Sequence, residues 1–249
     1  MPVWLQAGLW GLLAGGALVV GAAVAWFVRV SQPVVAIIMS FGAGVLISAL
    51  AFDLVDEAET TGGLVPTIVG FLGGAVVYVL ANVVLARRGA KDRKRSQGQQ
   101  PSESDQQGSG AAIAVGALLD GVPESVVLGL SLLGGGGIGV PVLVAIFISN
   151  LPEGLSSAAG MKRSGRSVGY VFGVWVGIAV VSGLAGLIGV LLLQGAPAST
   201  IAAITAVAAG AILAMVADTM IPEAFERTHL YAGLVTTIGF MVSFAVGRV

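Results

Sequence analysis

Two stretches of the sequence repeat one pattern, "LLDGVPESVVLG" at residues 118–129 and "ISNLPEGLSSAAG" at residues 148–160. Each stretch places a Pro-Glu pair inside an apolar run, with polar residues three or four positions before the Glu. A proline lacks a backbone hydrogen-bond donor, and a buried carboxylate loses its hydration, so both residue types are unfavourable in such surroundings. The fold around the two stretches must therefore accommodate them.

The chain that surrounds the two stretches has the composition of a membrane protein. Its 249 residues are 56% hydrophobic and only 10% charged, with a mean hydropathy of +0.98. Apolar runs of about 20 residues, long enough to cross a bilayer, recur along the whole sequence. They predict an all-α integral membrane protein with eight transmembrane helices, at about 6–28, 34–56, 64–86, 111–133, 139–161, 167–193, 200–222 and 230–248.

Several classes of function are excluded by composition. The chain has no cysteine, so it forms neither disulfides nor thiolate metal sites, and it has a single histidine, His229. Its formal net charge of −1 does not suit a nucleic acid or another polyanion as partner. The sequence also lacks a P-loop, so transport driven directly by ATP is not expected.

Basic residues are unevenly distributed between the two sides of the predicted helices. If the N-terminus is outside, eleven of the twelve Lys and Arg residues fall on the inner side, and only Arg248 falls outside. Because short basic loops stay in the cytoplasm, the sequence predicts a multi-pass protein of the cytoplasmic membrane with both termini outside.

The predicted helices divide the chain into three parts. Residues 1–86 carry helices one to three, and residues 111–249 carry helices four to eight. Between them, residues 87–110 begin with a basic run that can lie near anionic headgroups and continue with Ser, Gln and Gly. This composition is too polar to bury a core and predicts a disordered cytoplasmic loop.

Two features of the helices bear on their packing. The second span ends in "AFDLVDEAE" at 51–59 and the seventh in "VADTMIPEAFE" at 216–226, which lie at opposite faces in the predicted orientation. This similarity suggests an inverted repeat, although chance similarity of helix ends explains it equally well. In the sixth span, glycines recur every four residues at 169–177 and every three at 183–189, which predicts close packing of that helix.

Three acidic residues, Asp120, Glu124 and Glu153, fall near the middle of the fourth and fifth spans. A carboxylate at that depth costs at least about 2.5–3.5 kcal/mol. No Lys or Arg lies between residues 111 and 161, so a mobile cation is the expected partner. A protonated carboxyl group that is hydrogen-bonded in the core is the alternative for any one of them.

Helical spacing predicts that these groups converge. Asp120 and Glu124 are four residues apart, and Ser149 and Asn150 precede Glu153 by four and three residues. The prolines free one backbone carbonyl each, which can bind water, a neighbouring side chain or a metal ion. A kink that merely fits the bundle is the alternative explanation of each proline.

The Pro-Glu motifs in the fourth and fifth of eight helices, the outer termini and the long inner loop after helix three resemble the ZIP family of divalent-metal transporters. The resemblance covers essentially the whole chain. It implies a 3+2+3 inverted-repeat bundle with a metal site at the midplane, and a movement of helices one, four, five and six against the others. It also allows a homodimer. Matched by position, the implied metal ligands are Asp120, Glu124, Ser149, Asn150 and Glu153.

This sequence departs from the family pattern at the site itself. Asp120 replaces a histidine and Gly121 an asparagine, and no acid between Glu153 and Asp218 could complete a second site. The resemblance therefore implies one metal site. Its donors are oxygens only, which suit manganese or another hard ion better than zinc, the metal the family implies. The expected cargo is a divalent metal of the zinc, manganese or iron class, with no prosthetic cofactor.

Acidic residues at the helix ends are candidates for a metal pathway. Asp53, Asp56 and Glu57, together with Glu59, could attract cations to an outer entrance, or they are simply a solvated helix end. Asp218, Glu223 and His229, together with Glu226, could form an inner exit, although His229 is also explained as an interfacial residue.

The sequence leaves three functions open. The first is a secondary transporter, not an enzyme, that moves a divalent metal across the bilayer toward the cytoplasm. The second is a proton-coupled carrier or a non-transporting membrane scaffold with a relic metal site. The third is an intramembrane hydrolase in which two carboxyl groups share a proton across a water molecule.

Overall fold

A computed structural model describes residues 1–133 and 140–248, without the side chains of Val140, Pro141 and Arg227. The regular elements of this described part are helices, with no strand. Eight of the helices are long and apolar enough to cross a membrane, which confirms the prediction of an all-α, multi-pass architecture. Residue 139, the predicted start of the fifth span, and the side chain of Arg227 lie outside the described residues.

The eight helices match the predicted spans, and several extend beyond them. They are α1 (Val3–Phe27), α2 (Gln32–Gly62), α3 (Leu64–Ala90), α4 (Ser109–Leu130), α5 (Val140–Arg163), α6 (Val168–Leu193), α7 (Ala198–Glu226) and α8 (Ala232–Val246). Local sequence explains some of the starts. The Ser167 hydroxyl accepts a hydrogen bond from the Tyr170 amide and caps α6, and Pro33 occupies the first turn of α2.

The helices pack as two sets of four. In the first set α1 contacts α4, α5 and α6, and α4 contacts α6. In the second set α2 packs against α8 and the end of α7, and α3 packs along α7. The two sets meet where α2 contacts α5 and where α4 contacts α7. The Pro-Glu helices α4 and α5 therefore lie at the junction of the sets.

Both α2 and α7 contain one wider, π-helical turn near their ends. The turn spans Leu50–Leu54 in α2 and Val216–Met220 in α7, and in each helix a Glu-Ala pair follows it at the same spacing. Such turns insert one extra residue into a helix and often occur at functional sites. The two similar sequence stretches therefore have the same local structure.

Both α2 and α7 also contain a glycine that lies against the backbone of a neighbouring helix. A Cβ atom on Gly44 of α2 would collide with the Thr236 carbonyl oxygen of α8, and one on Gly210 of α7 would collide with the Phe71 carbonyl oxygen of α3. Counted back from the Glu-Ala pair of each helix, Gly44 and Gly210 stand at the same position. The α2–α8 and α7–α3 contacts are thus equivalent, and both depend on backbones that touch.

The glycines of α6 behave differently from one another. A Cβ on Gly186 would lie 2.8 Å from the Ala7 carbonyl oxygen, so this part of α6 packs closely against α1 as predicted. Around Gly169, Gly173, Gly177 and Gly189, in contrast, no atom of a neighbouring helix lies within 4 Å of the Cβ position. The expectation of close packing is therefore wrong at these four positions, because they face away from the neighbouring helices.

The connection between α3 and α4 turns back into the bundle. Gly89 has φ of 100°, in the left-handed region that favours glycine, and it reverses the chain at the end of α3. Beyond it, Arg93, Lys94, Ser96 and Gln100 are buried. We call residues 93–100 the docked segment. A disordered loop was expected here from composition; the structure instead packs these side chains among the helices, because buried acids provide partners for its cations.

Candidate metal centre

The five ligand candidates are buried where α4 and α5 face each other and their neighbours. Pro123 and Pro152 lie inside continuous helices, so both Pro-Glu pairs are accommodated without a break. All five candidates named from the sequence are at most 4% exposed: Asp120, Glu124, Ser149, Asn150 and Glu153. Because buried polar atoms need hydrogen-bond or charge partners, the partners of each candidate determine whether it is available to bind an ion.

Asp120 is paired with Arg93 of the docked segment. Its Oδ2 accepts a hydrogen bond from Arg93 Nε at 2.9 Å, and its Oδ1 accepts one from Arg93 Nη2 at 2.8 Å. This bidentate geometry is the strongest that a guanidinium and a carboxylate can form. The Tyr78 hydroxyl donates to Oδ1 as well, at 2.7 Å. Asp120 is thus fully satisfied by protein groups.

Arg93 also donates hydrogen bonds to residues of α3. Its Nη1 donates to the Asn82 side-chain oxygen at 2.7 Å and to the Ala90 carbonyl oxygen at 3.2 Å. Burial lowers the pKa of the Arg93 guanidinium, but the charge and hydrogen bonds of Asp120, together with the interactions with Tyr78 and Glu153, outweigh burial and raise the pKa above its usual value. Arg93 therefore stays a cation among the helices.

Glu153 is approached by Lys94. The Lys94 Nζ atom lies 2.7 Å from Glu153 Oε2 and 3.4 Å from Asp120 Oδ2, so one ammonium group bridges carboxylates of α5 and α4. The angles at Lys94 Nζ do not meet hydrogen-bond geometry, and within the described chain the atom makes no hydrogen bond. We regard the short contact as an ion pair, because charge attraction does not need ideal angles.

Glu124 has no such partner. Its side chain is 1% exposed, and its Oε1 atom accepts no hydrogen bond from any described residue. It interacts electrostatically with Glu153, Lys94 and Asp120, so it belongs to the same charge cluster. Three carboxyl groups thus face two fixed cations, and full ionisation leaves one negative charge unbalanced.

The polar residues before Glu153 bind backbone groups. Ser149 Oγ donates to the Ile146 carbonyl oxygen at 3.0 Å, within its own helix. Asn150 Nδ2 donates to the Ala14 carbonyl oxygen of α1 at 2.9 Å. Asn150 also lines a cavity of about 10 Å³ with Asp120, Glu153 and Lys94, which has room for about one water molecule. Of the two residues, only Asn150 borders the charge cluster.

The rest of the docked segment is bound to α5 and α7. The Ser96 amide donates to Glu223 Oε1 at 3.1 Å, and Arg95 Nη1 forms an ion pair with Glu226 Oε2 at 2.7 Å. Ser156 Oγ of α5 donates to the Lys94 carbonyl oxygen at 2.5 Å. Gln100 Nε2 lies within hydrogen-bond distance of the Ser157 carbonyl oxygen, at 3.0 Å. The segment therefore ties helices of both sets together.

The pathway candidates are dispersed. Asp56 and Glu57 are exposed and Asp53 is half-buried at the end of α2. At the end of α7, Glu223 is buried in contact with the docked segment, whereas the exposed Asp218 carboxylate accepts a hydrogen bond from Asn82 at 3.4 Å. His229 is exposed, with φ of 37°, and its ring lies edge-on to the Phe225 ring at 5.5 Å.

The expectation that the midplane acids have no fixed cation is wrong. It considered only residues 111–161, whereas the cations come from residues 93 and 94, outside that window. Tyr78 and Asn82 were missed as well. Their spacing is the sequence signal that could have indicated this cluster. Two polar groups four residues apart on the apolar third span lie on one helix face and need polar partners inside the protein.

Neither the described residues nor comparisons with other proteins assign the cluster. Within the described ranges, no three His, Cys, Asp or Glu side chains are grouped closely enough to hold a metal ion. No model of a known protein family matches the chain, and a search of curated proteins also finds no match. The function is therefore argued from geometry and chemistry.

Proposed function

We propose that the protein transports a divalent metal ion of the zinc, manganese or iron class across the cytoplasmic membrane toward the cytoplasm. The observation that carries the proposal is the buried cluster of three carboxyl groups, Asp120, Glu124 and Glu153, with only two fixed cations. Buried ionisable groups inside a helical membrane protein are costly and mark ion or proton pathways. The unpaired Glu124 and the Lys94-paired Glu153 are the groups most available to an ion.

The architecture favours a carrier. The equivalent glycine contacts of Gly44 and Gly210, and the equivalent π turns of α2 and α7, support a 3+2+3 inverted repeat of the kind implied by the resemblance to ZIP transporters. Such repeats commonly place a substrate site between two bodies that move against each other. The set α1, α4, α5 and α6 is the natural moving body, because it contains both Pro-Glu helices.

In this mechanism the protein replaces the hydration shell of the ion with its own oxygens. Glu124 and Glu153 would supply carboxylates, and Asn150 would supply its side-chain oxygen while its amide nitrogen stays bound to Ala14. Ser149 contributes only if it leaves the Ile146 carbonyl oxygen. An oxygen donor set of this kind suits manganese better than zinc. The two Pro-Glu pairs thus hold the carboxylates at mid-helix on both sides of the ion.

A second candidate is favoured by a specific observation. Arg93 and Lys94 already neutralise two of the three carboxyl groups, so the cluster has room for a single further positive charge, which a proton would supply at Glu124. The chain would then be a proton-coupled carrier, or a membrane scaffold in which the ion pairs only hold the helices together.

Metal uptake into dye-loaded proteoliposomes tests the proposal, with manganese, zinc, iron(II), cadmium and magnesium compared. We expect uptake by the wild type, strongest for manganese, and none by the Glu124→Ala, Glu153→Ala double variant. The Asp105→Ala variant, which removes an exposed acid of the connection between α3 and α4, should transport normally. Failure of the folded wild type to take up any of the ions would overturn the metal proposal and favour the second candidate.

A further inference from the structure

We propose that the docked segment is a built-in plug, in which the Lys94 ammonium group occupies the position of the metal ion and must leave before the ion can bind. The inference rests on the proposed function for the identity of the competing ion. The docking of residues 93–100 is an independent structural observation. The docked segment would thus regulate the site from outside the two Pro-Glu motifs.

The position of Lys94 is that of a bridging cation. Its Nζ atom lies 2.7 Å from Glu153 Oε2 and 3.4 Å from Asp120 Oδ2, between the two helices that carry the Pro-Glu pairs. The cavity beside Asp120, Asn150 and Glu153 measures only about 10 Å³. A divalent ion and an ammonium group cannot share these oxygens, because their like charges would repel each other at such short range. Binding of the ion and docking of Lys94 are therefore mutually exclusive.

Lys94 and Arg93 differ in how firmly they are held. Arg93 donates hydrogen bonds to Asp120, Asn82, Tyr78 and a backbone carbonyl oxygen, whereas Lys94 Nζ makes an ion pair without hydrogen-bond geometry. An ammonium group on a flexible stem is also more strongly hydrated than a guanidinium group and returns to water more readily. Arg93 is thus the anchor of the segment, and Lys94 is the group that an ion can displace.

The plug also joins the two sets of helices. Through Ser156 and Ser157 it is bound to α5 of the first set, and through Glu223 and Glu226 to α7 of the second. Movement of one set against the other would stretch these bonds. The docked segment therefore opposes both the binding of the ion and the motion that would carry it.

Metal binding to purified protein tests the plug without any need for transport. The melting temperature is measured against Mn²⁺ concentration for the wild type, Lys94→Gln, Lys91→Gln and the Lys94→Gln, Glu153→Gln double variant. Lys91 is an exposed lysine of the same basic run and provides the matched control. We expect Lys94→Gln to bind Mn²⁺ at least about tenfold more tightly than the wild type, with Lys91→Gln unchanged and the double variant weakened again.

Docking is measured separately by cysteine labelling, for which the cysteine-free chain gives no background. Ser96→Cys should react slowly with a hydrophilic maleimide, since Ser96 is buried, and Ser104→Cys, at an exposed serine, should react fast. Mn²⁺ should accelerate the labelling of Ser96→Cys and leave that of Ser104→Cys unchanged. Equal labelling rates of the two variants without metal would overturn the docking itself.

The two proposals fail in different ways. If the wild type and Lys94→Gln bind Mn²⁺ equally well, the plug is wrong and metal transport stands. If no variant binds manganese, zinc, iron(II), cadmium or magnesium in the same titration while Ser96→Cys remains protected, the metal function is wrong, and the plug proposal fails with it although the segment is docked.

Discussion

The ends of α2 and α7 are built alike and lie in different surroundings. Each has a π turn followed at the same spacing by a Glu-Ala pair, and each is packed through a glycine against its neighbour. Glu57 of α2 is exposed. Glu223 of α7, in contrast, is buried beneath the docked segment, and its carboxylate accepts a hydrogen bond from the Ser96 amide. The two helix ends share one local structure, and the connection between α3 and α4 makes their surroundings unequal.

Substitution of Arg93, which anchors the connection between α3 and α4, should lower the stability of the folded protein most. Arg93→Ala removes the bidentate partner of the buried Asp120 and leaves that carboxylate only the Tyr78 hydroxyl and the longer contact with Lys94. Removal of one partner of a buried ion pair typically costs about 3–5 kcal/mol. Arg88→Ala, at an exposed arginine of the same basic run, should change stability by less than about 0.5 kcal/mol. Unfolding of both variants in mixed detergent micelles, followed by circular dichroism, measures the difference. Equal stability of the two variants would show that the docked segment does not make the two ends unequal.

The proposed inverted repeat can be tested at the close glycine contacts of α2 and α7. Gly44→Ala and Gly210→Ala each force a methyl group onto a backbone carbonyl oxygen, and each should destabilise the protein by a similar amount, about 2–3 kcal/mol. Gly173→Ala is the control, because that position is open and alanine favours helix over glycine by up to about 1 kcal/mol. A large effect at only one of the first two positions would contradict the repeat.

The helices could be predicted from sequence because their signals are local. Runs of about 20 apolar residues define the spans, and the spacing of Asp120 and Glu124 places both in the buried interior. The equivalence of α2 and α7 was visible only as a short similarity, since the glycine contacts that support it join residues far apart in the chain.

The ion pairs could not be predicted in the same way. The composition of residues 87–110 indicates a solvated loop, and nothing local distinguishes Arg93 and Lys94 from the other basic residues nearby. Their burial depends on carboxylates more than twenty residues away and on the turn at Gly89. Such a pairing is a property of the assembled bundle, in which the acids and the cations stabilise one another's burial.

The two helix ends can be compared directly at their glutamates. Glu223→Ala removes the acceptor of the Ser96 amide and leaves that buried donor without a partner, which should cost about 1–2 kcal/mol. Glu57→Ala, at the equivalent exposed position, should remain within about 0.5 kcal/mol of the wild type. The same unfolding measurement separates the variants. A greater loss for Glu57→Ala would mean that the end of α2 has partners of its own.

The smallest expected change in stability concerns Glu103, which holds the end of the connection just before α4 begins. The Arg166 guanidinium, 2.6 Å from Glu103, and the amides of Gly108 and Gly110 lower the pKa of the Glu103 carboxyl from 4.5 to about 2. Because this pKa is lowered in the folded protein, the contact contributes stability above about pH 4.5 and loses that contribution as the pH falls toward 2.

The melting temperature of the wild type should therefore exceed that of Glu103→Gln slightly at pH 6, and the difference should shrink on acidification. A difference between the wild type and Glu103→Gln that stays constant from pH 6 to pH 3 would mean that Glu103 stabilises the connection by packing and not by charge.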